Sequence, residues 1–172
     1  MIKNGVGGAN TLSGAYFEQI AKGNAPGIPL HKKELGNFYK KKTGKHYSLS
    51  LIRPGSKNGV PKDKAERAEK FKGKFLLTKA LEPDEAYLDY ETSTLTIFEK
   101  KFQDEGGSVD EKIQTSGFKI QQYQRVAKEL GIENVYFIYI LGDFFKDFYY
   151  QDTLNYIRSI PNCDYYFASD NP

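Results

Sequence analysis

Tryptophan is absent from the 172 residues, and cysteine and methionine occur once each. A lone Cys163 excludes an internal disulfide and a thiolate zinc cluster. In its apolar setting beside Asp164 it reads as a small buried residue. Histidine occurs only at positions 31 and 46, neither within a catalytic motif, so imidazole chemistry has no support. No apolar run approaches the roughly 20 residues of a membrane span. The segment Met1-Ile2-Lys3-Asn4-Gly5 lacks the apolar core of a signal peptide. The expectation is a cytoplasmic protein without membrane association.

What the chain does have is tyrosine (13), phenylalanine (12) and an uneven charge distribution. Its length suits one domain with a real core, residues 1–172. From His31 to Lys79 there are 15 basic against 4 acidic residues, a segment charge of +11. The remaining residues carry −8, which leaves the overall +3. Aromatics (Phe38, Tyr39, Tyr47, Phe71, Phe75) interleave with the basic block. That is the electrostatic footprint of a phosphate-backbone contact. The residues expected to contact a nucleic-acid backbone are Lys32, Lys33, Lys40, Lys41, Lys42, Lys45, Arg53 and Lys57.

The order of elements predicts an α/β unit. Asn10 or Thr11 is a plausible N-cap for a helix to about Lys22, and Gly23–Pro29 is a break. His46–Ile52 alternates and predicts a strand, and Lys62–Phe71 a basic helix. Pro83–Gln103 reads as a hairpin. A helix from about Val109 to Leu130 should present Ile113, Phe118, Tyr123, Val126 and Leu130, with Gly131 as its C-cap. Val135–Leu141 suits a buried strand, followed by a helix around Gln151–Ile160 and a strand at Asp164–Ala168. The implied fold is a mixed central sheet flanked by helices.

The chemistry concentrates in the hairpin. Asp84 stands where its first strand begins, and Glu99-Lys100-Lys101 ends the second. Two carboxylates can hold a hard divalent cation, and an ammonium beside them can stabilise charge on an attacked phosphate. Alternation puts Glu99 and Lys101 on one strand face and Lys100 on the other, where it is structural or solvated. Asp89 competes with Asp84, but five positions apart the two point to opposite faces.

Pro83-Asp84 with Glu99-Lys100-Lys101 resembles the PD-(D/E)xK signature of type II restriction endonucleases. Gly8-Ala9-Asn10-Thr11 with Gly14 and Phe17-Glu18 is similar to the opening helix of a subgroup of these enzymes. The run Glu99–Gln103 into Gly107–Thr115 is similar to the segment after their catalytic strand. The resemblance implies a restriction-endonuclease-like fold and Mg²⁺-dependent cleavage of double-stranded DNA to 5′-phosphate ends. It makes Asp84 and Glu99 metal ligands and Lys101 the catalytic lysine. Glu18 would support the metal site, and Gln103 would contact the scissile region. A homodimer would cut both strands, because a palindromic site mirrors two-fold symmetry. A cognate DNA methyltransferase is expected in the same system, though not as a stable partner. Two alternatives stay open at this point, a non-catalytic DNA-binding subunit and a structure-specific repair nuclease of the same fold.

Overall fold

The computed structural model describes Phe17 and residues 21–104 and 109–170. Apart from Phe17, Ala21 and Lys22, the expected opening helix lies outside these residues, and so does Glu18. The Ala21 N–H donates to the Phe17 carbonyl at 2.7 Å, the bond of one helical turn.

Among the described residues, seven strands form in chain order: β1 (Ile28–His31), β2 (His46–Ser48), β3 (Phe75–Leu77), β4 (Glu85–Asp89), β5 (Thr94–Lys101), β6 (Asn134–Leu141) and β7 (Cys163–Phe167). Among the described residues after β1 there are five α-helices: α1 (Glu34–Thr43), α2 (Lys64–Lys70), α3 (Val109–Ile113), α4 (Ser116–Glu129) and α5 (Gln151–Ser159). The main sheet has the order β1-β4-β5-β6-β7. β1, β4 and β5 run antiparallel to one another, whereas β5-β6 and β6-β7 are parallel. This is the expected α/β fold with a mixed sheet. Strands β2 and β3 form a separate parallel pair.

Register assigns every side chain of the central strands to a face. Ala86 lies opposite Ile97 and Leu88 opposite Leu95 on one face, joined across β6 by Val135, Phe137, Tyr139 and Leu141. Helix α4 covers that face with Ile120, Tyr123, Val126 and Ala127, and α5 with Leu154 and Ile157, to make the principal core. Leu35 and Tyr39 of α1 complete it. The opposite face carries a smaller cluster of Phe17, Ala21, Phe98, Ile140 and Ala168. Gly23 is required there, because a Cβ at this position would stand 2.4 Å from the Phe98 ring.

Three expectations are corrected. The strand predicted over His46–Ile52 stops at Ser48, and Leu49–Leu51 form a 3-10 turn. The long helix from Val109 is interrupted at Gln114–Thr115, and α4 restarts at Ser116. Phe118, expected on its buried face, is 62% exposed, while Gly131 ends the helix with φ +73° as predicted. Among the described residues no helix is long and apolar enough to cross a membrane.

Candidate active site at the end of the β4–β5 hairpin

Antiparallel pairing of β4 and β5 brings Asp84 and Glu99 to the same end of these two interior strands. The Asp84 carboxylate accepts the backbone N–H of Lys100 at 2.7 Å through Oδ2, so the strand itself sets its position. Glu99 is buried on β5, beside Tyr139 of β6 in the parallel register. Its Oε2 accepts from Lys101 Nζ at 2.8 Å. Lys101 also stands 3.9 Å from Asp84 Oδ2, and donates to the Lys100 carbonyl at 2.8 Å. One ammonium therefore bridges both carboxylates. The three residues singled out in the sequence are neighbours in space.

Asp89 is not one of them. It sits at the far end of β4, where Oδ1 accepts the Glu91 N–H at 2.9 Å and Oδ2 the Thr92 hydroxyl at 2.7 Å. These bonds fold the hairpin turn and hold its carboxyl below the usual carboxylate range. Gln103 is buried two residues beyond the end of β5.

The sequence reading missed Lys119. From the first turns of α4 it reaches Glu99 Oε2 at 3.1 Å, with 16% of its side chain exposed. The ammonium lies 5.8 and 5.7 Å from the ring centres of Phe137 and Tyr139. Burial depresses its pKa most, Lys101 adds to that, and Glu99 opposes it. The signal available in the sequence was spacing. Lys119 precedes the buried Tyr123 by four residues and Val126 by seven, which is the core stripe of the helix.

Glu85 was missed as well, and it serves the other face. Its Oε1 meets Lys100 Nζ at 2.8 Å, and its Oε2 accepts the Gly23 N–H at 3.0 Å. The side chains of Lys100 and Glu85 are only 10% and 8% exposed. Adjacent acids at 84 and 85 thus pair with adjacent lysines at 101 and 100 on opposite faces. Lys100 is structural, in line with the alternation.

Four charges meet on the active face, Asp84 and Glu99 against Lys101 and Lys119, and they cancel. The donor set fits Mg²⁺, which is commonly held by one or two carboxylates and completes its shell with water and substrate phosphate. One oxygen of each carboxylate is committed to Lys100 N–H or the lysines, so a cation would be held through the other. Among the described residues no group of three or more His, Cys, Asp or Glu could hold a metal. A site here therefore rests on the two carboxylates.

The basic segment is divided in its uses. Lys32 and Lys33 lead into α1, and Lys40, Lys41 and Lys42 form its last turn. Lys42 Nζ stands 5.6 and 5.8 Å from the Phe38 and Tyr90 ring centres. Lys45 is paired with Glu129 at 2.7 Å, and Lys57 lies in the exposed 3-10 turn Ser56–Asn58. Arg67 is buried and donates to the carbonyls of Pro61 and Lys62, so its charge serves the local fold. Compared with models of known families, with curated proteins and with solved structures, the chain matches none.

Proposed function

We propose that the chain is a Mg²⁺-dependent endodeoxyribonuclease of the type II restriction class, with a restriction-endonuclease-like core. The observation that carries this reading is the meeting of Asp84, Glu99 and Lys101 at one end of the β4–β5 pair, with one ammonium 2.8 Å from the Glu99 carboxylate and 3.9 Å from that of Asp84. Asp84 and Glu99 would hold the cation. When bound, Mg²⁺ supplies Lewis-acid polarisation of the phosphodiester and lowers the pKa of a water molecule. Its arrival turns a neutral cluster into one of charge +2, which complements a phosphodiester anion. Lys101 would then stabilise the charge that builds on the attacked phosphate. Water forms the new P–O bond, the bond to the 3′ oxygen breaks, and that oxygen takes a proton. The products carry 5′-phosphate and 3′-hydroxyl ends.

Cutting both strands of a duplex calls for two such sites, so the active form is a two-fold homodimer. A DNA methyltransferase encoded alongside would protect the host DNA. The test is to incubate the protein with plasmid in Mg²⁺ or in EDTA and to sequence the ends. Breaks with 5′-phosphates in Mg²⁺ and intact plasmid in EDTA are expected. Full cleavage in EDTA, or no cleavage under either condition, would overturn the reading.

A further inference from the structure

The turn before α1, the helix itself and β2 enclose a cavity of about 290 Å³. Four cations line it, Lys32, Lys33, Lys40 and Arg53, against one acid, Glu82. Gly36 lets the helix close on the Tyr47 ring, which a Cβ there would approach at 3.1 Å. Tyr47 in turn donates its hydroxyl to the Leu81 carbonyl at 3.0 Å, which fixes that wall. The cavity is tied to the candidate active site by backbone. The Lys32 N–H donates to the Pro83 carbonyl at 3.0 Å, and Glu82 precedes Asp84 by two positions.

We infer that this cavity seats one backbone phosphate of the DNA strand, with its sugar, close to the scissile phosphate. The inference rests on the nuclease reading for the second of these positions. Two residues of chain span at most about 7 Å. Phosphates advance roughly 3.4 Å along each strand of the duplex. The backbone of Glu82, on the cavity lining, is therefore no more than about 7 Å from that of Asp84, which puts the seated phosphate a few nucleotides from the cut. Four cations converging on a concave wall can fix the register of the strand, which scattered surface lysines cannot.

Binding is the direct readout, measured by anisotropy of a labelled duplex in EDTA, where no cleavage occurs. Arg53→Ala removes a cation from the cavity, and Lys41→Ala removes one from the same region outside it. If the cavity seats a phosphate, Arg53→Ala weakens binding about tenfold or more through loss of a charge-assisted contact. Lys41→Ala then costs only about two- to threefold, as expected of diffuse attraction. Leu51→Trp, at an exposed position of the lining, fills the cavity without changing charge and should weaken binding as Arg53→Ala does. Thermal melting identifies any variant that fails to fold, and Asn37→Trp is the second filling variant from the opposite wall. Equal losses for Arg53→Ala and Lys41→Ala, or full affinity in both filled variants, would overturn the inference. So would a wild-type protein that does not bind the duplex. Duplex that is bound but left intact in Mg²⁺ sinks the nuclease reading and leaves a phosphate seat in place. Cleavage with equal losses sinks the seat alone.

Discussion

Lys100→Ala should be a stability variant, and Lys101→Ala an activity variant, although the two lysines are adjacent. Lys100 and Glu85 meet at 2.8 Å with both side chains almost out of solvent. At an effective dielectric constant of about 20 their gross attraction is near 6 kcal/mol, most of it offset by desolvation. Deleting the ammonium alone leaves a buried carboxylate whose remaining described donor at normal hydrogen-bond distance is neutral, the Gly23 N–H at 3.0 Å, because the Tyr87 hydroxyl is turned to the Gly23 carbonyl at 2.9 Å. Breaking such a pair costs about 3–5 kcal/mol. For a chain of this length that lowers the melting temperature by roughly 6–20 °C. Lys100→Met with Glu85→Gln removes both charges and keeps an acceptor for Gly23, so the double variant should recover most of the loss. Lys101→Ala leaves Glu99 still paired with Lys119 and should melt within a few degrees of wild type, while cleavage collapses and DNA binding persists. Differential scanning fluorimetry, with cleavage assayed at a temperature where every variant is folded, separates the two effects. A Lys100→Ala protein that melts within about 2 °C of wild type, or a double variant no better than the single, would refute the energetic argument. Exchange of the two activity outcomes would refute the strand register.

Further outcomes follow from the same structure. Asp84→Asn and Glu99→Gln should each abolish Mg²⁺-dependent cleavage while DNA binding in Ca²⁺ survives, as gel shift and cleavage on one duplex will show. Lys119→Met keeps an apolar chain over Phe137 and Tyr139 but removes the charge, so turnover should fall about tenfold to a hundredfold with little change in duplex affinity; unchanged turnover would make the residue a packing element. Replacing Lys40, Lys41 and Lys42 by alanine should flatten the dependence of log affinity on log salt by up to about 2.7, the contribution of three neutralised phosphates. Cys163 is buried and burial pushes its thiol up to about 11, so iodoacetamide at pH 8 should label it only after unfolding. Because the folded value lies above the ordinary 9.0, that thiol's contribution to stability is whole below pH 9 and is lost as the pH rises towards 11, which urea unfolding at stepped pH can follow.

The parts of this molecule that could be read in the sequence are those where local pattern and tertiary demand agree. The hairpin, β6 and β7 have apolar or aromatic runs of the right length between clear breaks, α5 carries Leu154 and Ile157 three positions apart on one face, and each appears where expected. The site residues Asp84, Glu99 and Lys101 were legible because alternation along a strand predicts faces. What was hidden depends on contacts distant in the chain. β1 is four residues long and contains Pro29, and only pairing with β4 makes it a strand. β3 exists through its pairing with β2. Lys119 is twenty positions from Glu99; its spacing to Tyr123 and Val126 puts it on the buried stripe of α4, but only the fold shows that Glu99 meets it there. Glu85 beside Asp84 reads as one more strand-end charge until Lys100 and Gly23 are seen to meet it.

The four charged groups of the candidate site follow one another in a single uninterrupted stretch, Asp84 to Lys119, that closes before the exposed turn at Gly131. The strand that completes their support does not. β6, which lies along β5 and carries the aromatic rings beneath Lys119, belongs to the chain after that turn. A protein divided at Gly131 would therefore hold every reacting group in one fragment and the wall behind them in the other. If the protein is the nuclease proposed above, neither piece would cut alone, and cleavage would return only as the two associate. The fold thus lends itself to a divided form, in which the docking of β6, with β7 already beside it, onto the open side of β5 is the event that restored activity would report.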